Sequence, residues 1–357
     1  MTVSLYSTQE LIEVQQRLQD LPDGFWRNRY PRVITSDREE ILFEVADVNN
    51  RKLAPFVAPN VQGRVMRGQG YSARSFRPAY TKPKHIVDPT QAIPRMMGEP
   101  IMGGMSLAAR FDARVADNLR MEREDIERLW DWMACRATVD GSVTVSGDDY
   151  PTTFVDFGRD NSLTVQLTGT AVWSATTTAN PLQDLADAND DAFRLGNAPI
   201  TDLVFGITAY QNFAKNPAVK ELLSTLSRAS NSSFSTIPLV QNANYQNMGY
   251  IDTPGGGRFN LWRYSNWYSE VNTATGALTV KQFLEPSYVV GLGQALDGAA
   301  LFGAILDYEA GFRAEASIFP KMWVEKDPSA VYTMSQSAPL FAPLNPNNSF
   351  VIKTEAP

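Results

Sequence analysis

The chain has 357 residues, of which 43% are apolar and 20% charged, a balance that fits a chain with a buried core, excludes disorder along its whole length, and leaves room for about two domains. Its 32 basic and 39 acidic residues give a net charge of −7, which disfavours a protein whose whole surface grips a polyanion. A lone cysteine, Cys135, excludes an internal disulfide and fits a reducing interior or an architecture without staples.

The first residues, MTVSLYSTQELIEV, lack a basic start leading into an apolar run and do not read as a secretory signal. Residues 7–20 predict a short amphipathic helix. Ser7 and Glu10 form a capping box, and Leu11, Val14 and Leu18 share a face. An irregular segment with Phe25, Trp26 and Tyr30 follows, then a strand over 39–47. Residues 60–77 alternate around glycines and predict a twisted hairpin. The clearest helix covers 105–135, where Leu107, Phe111, Val115 and Leu119 recur every fourth residue, and Ile126, Leu129, Trp130 and Met133 continue the stripe after a drift. Its outer side is expected to carry Asp112, Asp117, Glu122, Glu124, Asp125, Glu127 and Asp131.

Two strands, 141–147 and 152–158, are expected around the turn DDYP, followed by an acidic helix over 181–197 and a buried strand in ITDLVFG. ITAYQNFAKNPAVKELLSTL predicts helix with a break near Pro217. GRFNLWRYSNWYSE reads as an aromatic strand pair. The most apolar stretch, SYVVGLGQALDGAALFGAILDYEAG, is interrupted by Gln294, Asp297 and glycines, so it predicts two strands and no membrane span. The end gives a strand, a turn at Asp327-Pro328, and a strand closing at Pro339. The whole reads as α+β, with the long helix early and the sheet-building strands late.

Chemistry is sparse. His85 is the only histidine and sits in KPKHIVDP among cations and prolines, with no nucleophile motif beside it, so a structural or interface role is expected. One Cys and one His cannot form a zinc site. DLADANDD lacks the spacing of a calcium loop, GQGYSA has no helix after it to hold a pyrophosphate, and GDDYP is explained by its turn. No catalytic, cofactor-binding or metal-binding residue is expected.

One passage stands apart. Residues 51–87 hold eight Lys or Arg and no Asp or Glu, so the rest of the chain has 24 basic against 39 acidic residues, or −15. The limb could bind nucleic acid, with Tyr71, Phe76 and Tyr80 stacking on bases. It could instead lie on an acidic surface of a second copy. The chain supplies such surfaces in the long helix and in residues 137–200, which hold nine Asp and two Arg. Candidate contact residues are Arg64, Arg67, Arg74, Arg77, Lys82 and Lys84 on the limb, and Asp112, Asp117, Glu124 and Glu127 on the helix. Contacts between two different surfaces of identical chains close into rings or shells.

YTKPKHIVDP followed by a long charged helix resembles the lambda-type major head proteins of tailed bacteriophages. So do FPKMWVEKDPSAVYTMSQSAPLF near the end and APFVAPNVQGRVMRGQG in the limb. The resemblance implies the Hong Kong 97-type capsid fold. It divides the chain into an N-terminal arm (1–50), an extended loop (51–90), a peripheral domain (91–170, with a spine helix at 105–135), an axial domain (171–310) and a return to the peripheral domain with the C-terminus (311–357). It also implies a non-enzymatic protein that assembles in the host cytoplasm and resides in the virion. Its pentamers and hexamers would form an icosahedral shell around double-stranded DNA bound without sequence preference. The implied partners are a scaffolding protein, a portal protein and, in some members, a decoration protein.

Overall fold

The computed structural model describes residues 6–18, 24–38, 40–46, 53–63, 71–87, 106–147, 150–228, 240–241, 244–253, 257–271, 276–327 and 329–356. It divides into two compact units: residues 1–41, 75–133 and 300–341, and residues 42–74, 134–299 and 342–357.

A helix of 33 residues, Leu107–Val139, dominates the chain; at 1.5 Å per residue it is ~50 Å long. Ser106 starts it by accepting the Ala109 N–H on its hydroxyl, 3.2 Å away. Its end lies four residues beyond the expected one. There Arg159 donates to the carbonyls of Thr138 and Val139, each at 2.7 Å. Gly141 follows with φ +66°, and a Cβ on it would lie 2.9 Å from Cβ of Arg159. A left-handed glycine and a capping arginine together terminate the helix.

In the first unit this spine helix packs on a three-stranded sheet with the order Phe319–Lys326, Ser329–Gln336, Lys84–Val87. Thr333 lies opposite both Met322 and His85, and Val331 opposite Val87. Phe111, Val115 and Leu119 of the helix meet Val87, Met322 and Leu11 in one apolar cluster. Each such side chain contributes about 1.5–3 kcal/mol when fully buried, so the cluster unites four regions distant in sequence. Leu11 comes from the helix Thr8–Arg17, whose Ser7–Glu10 capping box is present as expected. Its inner stripe is Leu11 and Gln15, while Val14 is exposed.

The inward face of the spine helix departs from expectation. Glu122, Glu127 and Asp131, expected on the outer side, are buried at 0%, 2% and 4% exposure. Each is satisfied, as a buried charge must be. Glu122 accepts the hydroxyls of Thr333 and Ser335, both at 2.7 Å, and Ser335 in turn accepts the Gln15 amide at 2.8 Å. His85 Nδ1 lies 3.4 Å from the same carboxylate. Glu127 is held by Arg123 at 2.8 Å and Arg27 at 3.2 Å. Asp131 accepts the backbone N–H groups of Trp26 and Arg27, both at 2.9 Å, and so caps the single-turn helix Arg27–Arg29 from outside. Trp130 lies between these last two and meets Phe302 edge-on at 5.0 Å.

The second unit is built on a seven-stranded mixed sheet. Its order is 164–166, 349–353, 288–293, 200–205, 258–264, 245–252, 240–241. The outer pair 164–166/349–353 and the inner pair 200–205/258–264 run parallel. The helices Pro181–Gly196 and Ile207–Lys215 cover its core with Leu182, Leu185, Ala209 and Phe213, and Val219 of Pro217–Arg228 joins them. Gly291 lies opposite Phe350 on the neighbouring strand, and the ring occupies the space a Cβ would need. The segment read as an aromatic strand pair is divided differently. Arg258–Tyr264 belongs to the large sheet, and Trp267–Val271 pairs instead with Leu278–Gln282 in a separate hairpin. The hairpin 142–147/150–156 forms as expected, with Tyr150 and Pro151 already in its second strand.

Burial pushes the Glu122 carboxyl above its ordinary 4.5, a rise only partly offset by the Thr333 and Ser335 hydroxyls and His85. A folded state that binds this proton more tightly loses stability as pH rises from 4.5 through the raised value. Glu122→Gln cannot ionise. The melting temperature of the variant minus that of the unassembled wild type should therefore increase across that window; a pH-independent difference would contradict this reading. Asp131→Ala leaves two buried N–H groups without their carboxylate and should cost about 1–3 kcal/mol per group in chemical denaturation.

Candidate subunit interface

The stem of the basic limb is fixed by the first unit. Thr81 and Ser337 exchange backbone hydrogen bonds at 2.9 and 3.1 Å, and the Ser335 N–H reaches the Pro83 carbonyl at 3.2 Å. The Tyr80 phenol donates to the Ala304 carbonyl and accepts the Leu306 N–H. From there the strand Lys84–Val87 alternates. His85 and Val87 turn toward the core, while Lys84 and Ile86 face outward.

The outward lysines are held over rings. Lys84 Nζ lies 4.4 Å from the centre of Tyr332 and 5.7 Å from that of Trp323, and those two rings stack across the strand pair at 5.5 Å and 20°. Lys82 Nζ lies 5.2 Å from the Tyr80 ring. Cation–π contact leaves the charge intact while limiting where the ammonium can go, so both lysines present positive charge at defined positions. Arg77 is exposed at the limb's base. Arg74 lies in the strand Tyr71–Phe76, which pairs with Ile41–Ala46. That pairing is long-range, not the local hairpin expected within 60–77, and residues 64–70, including Arg64 and Arg67, lie outside the described residues.

The acidic candidates divide. Asp112 is exposed and accepts the Tyr6 phenol; this hydrogen bond, with partial burial and the charge of Asp112, pushes that phenol up to about 12. Asp117 is half-buried, 3.7 Å from Arg120 one turn on. Glu124 is half-buried. Glu127 is corrected: buried between Arg27 and Arg123 of its own chain, it cannot receive a limb from outside.

On the second unit the helix Pro181–Gly196 turns Asp187 and Asp190 to solvent and pairs Asp191 with Arg194 at 2.8 Å. Its Asp184 is half-buried and takes the Trp173 indole N–H at 2.8 Å. Burial holds that carboxyl above the usual range, and the indole bond draws it partly back. The charge count of the limb overlooked its apolar residues. Leu53 is 94% exposed, and Phe56 and Val61 also face solvent. The stretch LAPFVAPNV itself, apolar side chains spaced by prolines, was the available signal.

Among the described residues no helix is long and apolar enough to cross a membrane, and no group of three metal-binding side chains occurs.

The family described as phage major capsid protein E matches residues 7–354. The major capsid protein of Escherichia phage lambda is 30% identical, covering 97% of this chain and 98% of the relative. That of Escherichia phage N15 is 28% identical over 98% of this chain and 99% of the relative. Among solved structures, a prophage capsid protein of E. coli CFT073 superimposes with a TM-score of 0.71 at 21% identity, covering 99% of this chain and all of that one. A phage-related protein of Bordetella bronchiseptica RB50 gives 0.51 at 10% identity, over 97% of this chain and 96% of that one. The α+β capsid fold that the resemblance implied is thus the fold found. A family match over nearly the whole length, on a chain whose basic limb is anchored at the stem with its lysines turned outward, leads to one conclusion: the chain belongs to the phage major capsid protein E family.

Proposed function

We propose that copies of this chain close into the icosahedral head shell through contacts in which the basic limb of one copy lies on an acidic surface of the next. The observation that carries this reading is the limb's construction. Eight cations and no anion lie in residues 51–87, the stem is tied down, and Lys82 and Lys84 are aimed outward over rings. Opposite charge fixes register and speeds encounter between copies. An exposed pair contributes only ~0.2–1 kcal/mol, so several per contact, repeated around a closed shell, are needed. The receiving carboxylates on the spine are Asp112, Asp117 and Glu124.

In this reading residues 1–50 are the N-terminal arm, 51–90 the extended loop, 91–170 and 311–357 the peripheral domain, and 171–310 the axial domain; the second compact unit takes in residues 134–170 and 342–357 as well as most of the axial domain. A scaffolding protein would guide assembly, a portal protein would occupy one vertex, a decoration protein would bind the outer surface, and packaged double-stranded DNA would fill the interior without sequence-specific contacts. A nucleic-acid-binding role for residues 51–87 is not favoured, because the capsid relatives account for the chain over nearly its full length.

Charge reversal tests the limb. Arg64, Arg67 and Arg74 changed together to Glu should abolish particles in negative-stain microscopy and leave a folded, soluble subunit. Normal shells from the triple variant would remove the limb from the account. Empty wild-type shells should bind DNA weakly at physiological salt, because the chain outside the limb carries −15. Tight binding that falls with salt at a log–log slope of about −0.9 per phosphate contact would contradict an interior with weak attraction for its cargo.

A further inference from the structure

We infer that the apolar segment Leu53–Val61 of one copy seats Phe56 on the bare apolar face of the hairpin Trp267–Gln282 of a second copy. This rests on the shell reading above and specifies an anchor that charge alone does not provide.

The hairpin has two unlike faces. Its register places Trp267 opposite Gln282, Ser269 opposite Val280 and Val271 opposite Leu278 on one face; Tyr268 opposite Lys281 and Glu270 opposite Thr279 occupy the other. The second face is largely polar, and two of its contacts lie within the chain. Tyr268 packs edge-on against buried Phe283 at 5.1 Å, and Lys281 pairs with Glu270. The first face is bare, with Trp267, Val280 and Leu278 exposed at 57%, 63% and 69%. Neither strand has another neighbour among the described residues. A two-stranded sheet is marginal in water by itself, and an aromatic–aliphatic face left open marks an interaction surface.

The limb supplies a matching occupant. Residues 53–58 belong to no helix or strand, and the Val61 N–H donates to the Ala58 carbonyl across a turn, 3.0 Å. Phe56 is fully exposed. Pro55 and Pro59 lack N–H donors and fix φ, so the segment cannot extend a strand ladder; it would bind through its side chains. Proline-bearing segments dock in this way on aromatic surfaces, because proline lowers the entropy lost on ordering. Segment and hairpin face are open in the same chain at the same time, so a second molecule must cover each.

A second copy is favoured over an unrelated protein by charge. Arg51, Lys52 and Arg64 bracket the segment in sequence, while the chain outside the limb has 39 acidic against 24 basic residues. Such a contact joins two different surfaces, and heterologous joints of this kind propagate around rings.

The test uses the full chain. Phe56→Asp and Trp267→Asp change exposed side chains, so circular dichroism and melting temperature should match wild type. Each should raise the concentration needed for particle formation by about tenfold or more, and the double variant should be little worse than either alone. Copies carrying Phe56→Cys mixed with copies carrying Val280→Cys should form disulfide-linked dimers within assembled particles, while the native Cys135 is buried and stays silent. Assembly of both Asp variants at wild-type concentration overturns the inference, as do particles that give no mixed dimer; the latter would assign the hairpin to another occupant, such as a decoration protein. If the wild-type chain forms no closed particles at all, the shell reading fails instead, so the two failures are distinguishable.

Discussion

The structure of the first unit depends on carboxylates buried along the inward face of its longest helix. Removing such groups from water is costly unless every lone pair finds a donor. Here Glu122 takes two strand hydroxyls, Glu127 takes two guanidinium groups, and Asp131 takes two backbone N–H groups. Between them the carboxylates therefore fix separate parts of the chain to the helix. Glu122 holds the C-terminal strand and, through Ser335 and Gln15, the N-terminal helix. Glu127 and Asp131 hold the turn at Arg27. Apolar packing would tolerate small slips between these parts, whereas directional bonds to satisfied carboxylates define one register. The limb proposed to reach a neighbour starts from this fixed base.

The limb combines two kinds of attraction with different ranges. In the proposed contact its cations would act across roughly a Debye length, about 8 Å at physiological ionic strength, and orient an approaching copy. Its apolar residues act only on contact but scale with the area covered. A shell built from many equal joints benefits from this separation, because individually weak joints allow misplaced subunits to leave. The stem at Thr81–Ser337 keeps the inner end of the limb in place, so less ordering remains for the moment of binding.

Much of the fold was legible because local chemistry signals it. Ser7 with Glu10, Pro217 after Asn216, and the four-residue spacing of Phe111, Val115 and Leu119 mark real helix boundaries and faces, whereas Leu107, the first of that spacing, is exposed. The drift expected in the spine stripe is absent. With Glu122 included, the inward residues Val115, Leu119, Glu122, Ile126, Trp130 and Met133 recur every three or four positions without a gap. A carboxylate in an apolar stripe was assigned to solvent because charge usually is, and the hydroxyls that reverse the rule lie more than two hundred residues away. Gln15 repeats the pattern on the N-terminal helix. Strand pairing was the least legible feature. Arg258–Tyr264 and Trp267–Val271 look like a hairpin by proximity, but the first pairs in parallel with Ile200–Phe205, a partner that local spacing does not identify.

Burial of the three carboxylates also moves the acidic surface. On the outer side of the spine, Asp117 pairs with Arg120 and Asp125 with Arg128, each one turn apart, so much of that face is balanced along its own length. The excess negative charge outside the limb must lie elsewhere. Asp187 and Asp190 on the helix Pro181–Gly196, with Asp156 and Asp160 before it, are exposed on the second unit, and among them Asp160 accepts the Ser162 N–H, which holds its carboxyl below the usual range. The second unit thus offers the proposed limb contact further carboxylates besides Asp112, Asp117 and Glu124 of the spine. That unit also carries the hairpin whose apolar face is bare, so the proposed steering and the proposed anchor would draw on one unit of the receiving copy.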